Sequence, residues 1–257
     1  MMRRYESLSL GVFASTVVSV AAALSAVAMA RQASAGDAQA KAEIERQIGD
    51  LKLGASRVTV AVHDHVVTLD GTVPSLWLKR EIIDLARKTK GTVEVDSTIE
   101  IARAENDLTL AAEVGKGLRE YPHYTIYDFV DGRVRNGVVT LAGAVTTVNK
   151  QEEITELIEK IHGVRDLKNG LTLLPVSSSD DRIRATIANQ IYGDPTFINY
   201  SLANPPIHVI VENGHVTLFG IVSSQLERQK AEVVARSVLG VFSVNDRIQL
   251  TSELRGR

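Results

Sequence analysis

The chain has 257 residues, with a hydrophobic fraction of 44%, an aromatic fraction of only 5% and a formal net charge of −2. It can build cores, but small aliphatic ones, and its lack of cysteine excludes disulfides, a thiolate nucleophile, a cysteine zinc site and an acylated lipid-anchor cysteine. Without residues 1–35 the formal charge falls to −4, and a mildly acidic chain argues against nucleic acid as its main partner.

Arg3 and Arg4 precede an uncharged run from Leu8 to Ala30 rich in Ala, Val, Leu and Ser, and Ala33-Ser34-Ala35 then offers small residues where a signal peptidase reads them. This predicts a signal peptide over residues 1–35, cleaved after Ala35, with Ala28-Met29-Ala30 as a second cleavage motif. An uncleaved anchor is the alternative, since the run is long enough to span a bilayer. Either outcome exports the remainder.

The remainder is a threefold repeat. Val67-Thr-Leu-Asp-Gly71 returns as Val139-Thr-Leu-Ala-Gly143 and as Val216-Thr-Leu-Phe-Gly220. Twenty residues after each glycine come Gly91, Gly163 and Gly240, and twenty-eight after it come Ile99, Leu171 and Ile248, with no gap needed. A fixed internal register identifies the unit that must fold.

In the first unit a helix is expected from Asp37, with Ile44, Ile48 and Leu51 on one face and Gly54 closing it. Val58, Val60 and Val62 alternate as a strand, and His63-Asp64 turns the chain into a second strand from Val66 to Leu69. Ser75 caps a second helix with a stripe of Leu78, Ile82, Leu85, Ala86 and Thr89, ended by Gly91 in a left-handed conformation. Val93, Val95, Ile99 and Ile101 follow as the last strand.

The second unit places Leu110, Val114 and Leu118 on its first helix, which Gly115 and Gly117 weaken by about 1 kcal/mol each. Its first strand is expected over Tyr124–Val130, with Asp131–Gly137 lengthening the hairpin, and Asn149 with Glu152 forms a capping box at the second helix. Ser177–Asp180 is the expected linker to the third unit. There Ile183, Ile187 and Ile191 form the first helical stripe, Gly193–Pro206 an irregular loop, and Asn213-Gly214 the turn of the clearest hairpin. Ser224 and Glu227 complete a capping box.

Each unit is therefore helix, strand, strand, helix, strand. A strand–helix–strand crossover is right-handed and parallel in nearly all proteins, so an antiparallel hairpin joined by a parallel third strand is expected. The fold class is α+β: three tandem modules over 37–103, 105–175 and 180–252, each with a three-stranded mixed sheet and two helices on one face. The recurring Gly71, Gly143 and Gly220 are expected at a strand end, where the chain turns or meets a helix closely.

The Val-x-Leu-x-Gly element, the pairs Gly163-Val164 and Gly240-Val241, relaxed to Gly91-Thr92, and the closing alternating strand resemble the BON domain of hyperosmotically inducible periplasmic proteins and outer-membrane lipoproteins. The resemblance spans nearly the whole exported chain. It implies a periplasmic, non-enzymatic role in envelope maintenance under osmotic stress, binding to phospholipid surfaces and no cofactor. The anchor cysteine of the lipoprotein members is missing.

Chemistry is sparse. His63-Asp64-His65 is the only close histidine pair and sits at a predicted turn without a third metal ligand; no nucleophile, base and orienting group converge in the pattern. The second helices are more informative. Over Ser75–Lys90 the first unit carries Lys79, Arg80, Arg87, Lys88 and Lys90 against Glu81 and Asp84, whereas Val148–His162 carries only Lys150 and Lys160 against four glutamates. Trp77, the sole tryptophan, falls roughly 120° from the centre of the apolar stripe. A ring beside cations suits an interfacial anchor at an anionic membrane, or packing on a neighbouring module. A scaffold that binds envelope proteins without lipid is the alternative function.

Overall fold

The computed structural model describes residues 35–51, 57–104, 106–201 and 205–254. The predicted signal sequence up to Ser34, and Gly54, lie outside these.

The first module contains a helix, α1 (35–50), then β1 (Arg57–His63), β2 (Val66–Val73), α2 (Leu76–Lys88), β3 (Glu94–Ser97) and β4 (Glu100–Ile101). The second contains α3 (Asp107–Glu120), β5 (Phe129–Arg135), β6 (Val138–Val145), α4 (Val148–Glu159) and β7 (Asp166–Leu173). The third contains α5 (Ser178–Tyr192), β8 (Ile207–Glu212), β9 (His215–Val222), α6 (Gln225–Ser237) and β10 (Ser243–Leu250), with a last short helix, α7 (Thr251–Leu254). In every module the hairpin is antiparallel and the strand after the second helix pairs in parallel with the central one, as the crossover argument requires. The described residues up to Val73 together with Lys79–Glu100 form one compact unit; Pro74–Leu78 together with the described residues from Ile101 onward form the other.

The repeat glycine is required by the hairpin and not by a strand end. Gly71, Gly143 and Gly220 lie inside β2, β6 and β9 with φ of 143°, 129° and 146°. A Cβ on each would stand 2.0, 2.0 and 1.9 Å from the carbonyl oxygens of Arg57, Phe129 and Pro206, so the close neighbour is the adjacent strand's backbone rather than a helix. Gly91, Gly163 and Gly240 do adopt the left-handed conformation expected of helix stops, with φ of 95°, 89° and 94°.

A second device recurs three times. An aspartate in the first turn of each module's first helix accepts both N–H groups of the hairpin turn. Asp37 takes Asp64 and His65 at 3.0 Å each, Asp107 takes Asn136 and Gly137 at 2.6 and 3.0 Å, and Asp180 takes Asn213 and Gly214 at 2.9 and 2.8 Å. Those turn residues have positive φ, and their N–H groups point away from the ladder, where the carboxylate reaches them. Each clasp joins the first helix to the tip of the sheet it covers.

Several boundaries differ from expectation. Tyr124–Asp128 is not the start of β5, which begins at Phe129. Ile126 is instead buried in the third module's core, and its carbonyl accepts the Val209 N–H at 2.8 Å. Thr147 and not Asn149 caps α4, accepting the Lys150 N–H at 3.3 Å. Ser177 is a helix cap, not a linker, and Asp180 is already helical. The loop after Gly193 contains a 3₁₀ turn, Pro195–Phe197, which drives the fully buried Phe197 into the third core. The first module's last strand begins only at Glu94, so Val93 lies before it and is 83% exposed, and it breaks into β3 and β4. The Ser75 cap, the stripe on α5 and the Ser224–Glu227 capping box form as read.

Within the second compact unit, the two modules pack through the sheet faces that point away from their helices. Ala144, Leu174 and Ile210 are buried there with Phe129 and Phe219, whose rings stack at 3.9 Å and 6°. An aromatic pair of this kind contributes about 0.5–1.5 kcal/mol beyond its buried area.

Gly143→Ala is expected to destabilise the protein by more than about 1 kcal/mol, because the methyl meets backbone that cannot yield; Gly91→Ala meets no atom within 4 Å and costs only its backbone strain. Denaturant titration of both variants checks this order. For the clasp, burial pushes the Asp180 carboxyl up, but the Gly214 and Asn213 N–H groups, Ser177 and the Arg184 charge outweigh it and hold it below the usual carboxylate range. Its stabilisation is therefore complete above about pH 4 and lost as pH falls through the lowered value. Asp180→Asn is expected to cost about 1.5–3 kcal/mol at pH 7, and the gap to wild type should shrink when the titration is repeated at pH 3.

Candidate functional site

α2 is helical because Leu78, Ile82 and Ala86 bury one stripe, with Leu85 half-buried beside it, and Ser75 Oγ accepts the Leu78 N–H at 3.4 Å. Arg87 and Lys88 occupy its last turn, where cations favour the helix dipole. The other face is exposed at Arg80, Arg87, Lys88 and, beyond the helix, Lys90; Lys79 is half-buried. Arg87 pairs loosely with Asp84 at 3.5 Å, while Lys88 and Lys90 form no salt bridge among the described residues.

The corresponding cations of the other two modules are each paired with an acid of this chain. On α6, Arg228 pairs with Asp246 at 2.6 Å, Lys230 with Asp194 at 3.1 Å and Arg236 with Glu232 at 2.7 Å. At the end of α4, the capping residue Lys160 pairs with Glu156 and lies 4.9 Å from the centroid of the Trp77 ring, within the second compact unit. Neighbouring Leu76 joins the second module's core, and the Pro74 carbonyl accepts the Gly163 N–H at 2.9 Å. Trp77 is thus half-buried in a module contact. Arg87, Lys88 and Lys90 belong to the first compact unit, and Trp77 to the second.

Lys150 is the clearest case of a charge withdrawn from the surface. It donates to Asp128 Oδ2 at 2.6 Å and to Thr146 Oγ1 at 2.8 Å, with 14% of its side chain exposed and none of that of Asp128. Asp128 also accepts from the Thr125 N–H and hydroxyl at 2.9 and 2.6 Å and from the Thr146 N–H and hydroxyl at 2.9 Å each. Burial pushes this carboxyl up, but the Lys150 ammonium and these donors outweigh it and hold it low. All its lone pairs are engaged, so it serves structure and offers nothing to a substrate. Nearby, burial pushes the His208 imidazole down, and its Nδ1 lacks a partner between Tyr124 and Phe129.

His65 Nδ1 donates to the Gly91 carbonyl at 3.0 Å and so locks the hairpin turn to the helix stop. Among the described residues no three of His, Asp and Glu are placed to hold a metal ion, and no helix is long and apolar enough to cross a membrane.

The repeat, the strand order and the two glycine positions agree with one family model, the BON domain, which matches residues 36–103, 106–175 and 179–252. This chain belongs to the BON domain family. No curated protein matches it. Among solved structures, the C-terminal domain of CdsD, a structural protein of the type III secretion system of Chlamydia trachomatis, is 15% identical, with 81% of this chain and 95% of that one covered and a TM-score of 0.25. The PrgH periplasmic domain is 13% identical, with 79% and 99% covered and a TM-score of 0.21. Likenesses this slight carry no argument about what the three BON modules do.

Lys150→Met removes the ammonium and leaves the Asp128 carboxylate buried with only the neutral N–H and hydroxyl donors of Thr125 and Thr146. An uncompensated buried charge costs about 3–5 kcal/mol, so this variant should unfold at markedly lower denaturant, and Asp128→Asn in the same chain should restore part of the loss.

Proposed function

We propose that this protein works in the periplasm as a non-enzymatic envelope-maintenance protein, called on under osmotic stress, whose first module binds anionic phospholipid through the end of α2. The carrying observation is the contrast among the three second helices. Among the described residues, α2 and the loop after it carry two exposed cations without a salt bridge, Lys88 and Lys90, beside Arg87, which pairs with Asp84, whereas the cations of α6, Lys150 of α4 and Lys160 at its end are each paired with an acid. Family membership supports the envelope setting, and the N-terminal run supports export.

The magnitudes suit a reversible contact. Each cation close to an anionic membrane contributes about 1 kcal/mol, and the attraction decays within a Debye length of roughly 10 Å at 0.1 M salt. Exposed Val93, two residues after Gly91, adds an apolar contact at the same loop. Trp77, Lys79 and Arg80 lie further up the helix, and the ring's existing contact with Lys160 makes it a lesser contributor.

Co-sedimentation with phosphatidylglycerol vesicles across a salt series tests the reading. The protein should pellet at low salt and be released as salt rises, and Lys88→Glu/Lys90→Glu should weaken binding at least about tenfold. Equal pelleting of that variant rejects the site. Failure of the wild type to pellet, with capture of an envelope protein that survives high salt, favours the protein-binding scaffold.

A further inference from the structure

A cleft of about 280 Å³ lies in the second module, wholly within the second compact unit, between the start of α3, the turn joining β5 to β6 and the residues that follow α4. Two arginines line it, Arg103 and Arg165, and neither forms a salt bridge among the described residues. Both are placed by backbone packing rather than by an acid. Arg165 donates its N–H to the Gly137 carbonyl at 2.9 Å, and its stem lies so close over Gly137 that a Cβ there would stand 2.9 Å from Arg165 Cδ. Arg103 is held through its neighbour, since Ala104 packs on Gly163 where an added Cβ would stand 2.5 Å from the Ala104 Cβ. The shared frame does not require either charge. Counted from the clasp aspartate and from the helix-stop glycine, the third module has Val176 and Phe242 at these two positions, and the first has Val93 at the second of them.

We propose that this cleft binds a small phosphate monoester, or inorganic phosphate, between Arg103 and Arg165. The ligand class follows from the donors. One guanidinium is a planar fork that satisfies both oxygens of a carboxylate, so two forks reaching from separate segments call for an anion with more terminal oxygens. Charge selects the monoester, which carries about −1.5 to −2 near neutral pH, over the singly charged diester of a phospholipid. The cleft's acid, Asp107, has both oxygens taken by the Asn136 and Gly137 N–H groups at 2.6 and 3.0 Å, so it pairs with neither arginine and the lining keeps a net positive charge. Asn106 Oδ1 accepts the Thr109 N–H and hydroxyl at 2.9 and 3.2 Å, which leaves its NH₂ group to donate, and the start of the 14-residue α3 adds the positive end of a helix dipole. No lining side chain is apolar and larger than alanine, so nothing in the cleft grips an acyl chain. Its volume, just under the roughly 300–1,000 Å³ of drug-sized ligand pockets, suits a small ester. The site does not depend on the lipid reading of α2.

Calorimetric titration of the purified full chain with glycerol 3-phosphate at about pH 7.5, where the monoester is mostly a dianion, measures the affinity, and backbone amide NMR places the ligand. The expected result is saturable binding with a Kd of about 1 mM or tighter that shifts the amides of Asn106, Gly137, Gly163 and Arg165, with acetate bound at least about tenfold more weakly. Arg103→Val/Arg165→Phe, which installs the residues of the third module, and Arg103→Gln/Arg165→Gln should each keep the wild-type melting curve and weaken binding at least about tenfold. Lys88→Glu/Lys90→Glu should leave phosphate binding unchanged, so this site and the lipid contact stand or fall separately. Absence of saturable binding overturns the proposal, as does binding that either arginine pair leaves intact or that acetate matches. Shifts at these amides produced by phosphatidylglycerol vesicles and not by the ester also overturn it and assign the cleft to the membrane.

Discussion

Each module depends on one carboxylate reaching two backbone N–H groups at the tip of a hairpin. A tight turn with positive φ leaves those donors pointing outward, and burying them unpaired costs about as much as losing a hydrogen bond each. Asp37, Asp107 and Asp180 satisfy them from the first turn of a helix, and the same bonds fix where that helix lies across the sheet. Modules of about seventy residues bury little surface relative to their size, so a contact that positions a layer matters more than it would in a large domain. The repeat glycine works on the other end of the same hairpin, allowing the strands to approach where any side chain would strike the carbonyl of Arg57, Phe129 or Pro206.

On this shared frame the outward faces have diverged, and the divergence explains what each module meets. The first module's sheet turns Thr59, Thr68, Asp70 and Thr72 to solvent, a face that no apolar partner covers profitably. The second and third place Phe129, Ala144, Ile210 and Phe219 at comparable outward positions and bury them against each other. The second helices differ in the same way: α2 ends in cations, α4 sinks Lys150 into a buried pair, and α6 carries an apolar stripe flanked by neutralised charges.

Much of this was legible in the sequence because it is local. Strand alternation, the left-handed glycines, the Ser75 and Ser224 caps and the parallel crossover all follow from residues close together in the chain, and all appear. The failures are non-local. Ile126 looked like a strand residue of the second module because its neighbours alternate, yet its side chain is taken by the third module's core. Lys150 counted as a surface charge until Asp128, itself assigned to a strand, was found buried beside it. The clasp escaped because the aspartate lies 34, 36 and 40 residues before its repeat glycine in the three modules, so a gapless comparison anchored on the glycine never aligns it. Trp77 was visibly off the core face, but only the fold brings Lys160 to its ring.

Amide hydrogen exchange on the full chain, with and without phosphatidylglycerol vesicles, tests most directly the claim that three equivalent frames differ chiefly in what their surfaces attract. The account predicts that the turn amides of Asp64, His65, Asn136, Gly137, Asn213 and Gly214 exchange slowly in both conditions despite lying at hairpin tips, and that vesicles add protection at residues 87–93 alone. Turn amides exchanging like those of free loops, or lipid-dependent protection centred on α4 or α6, would contradict it.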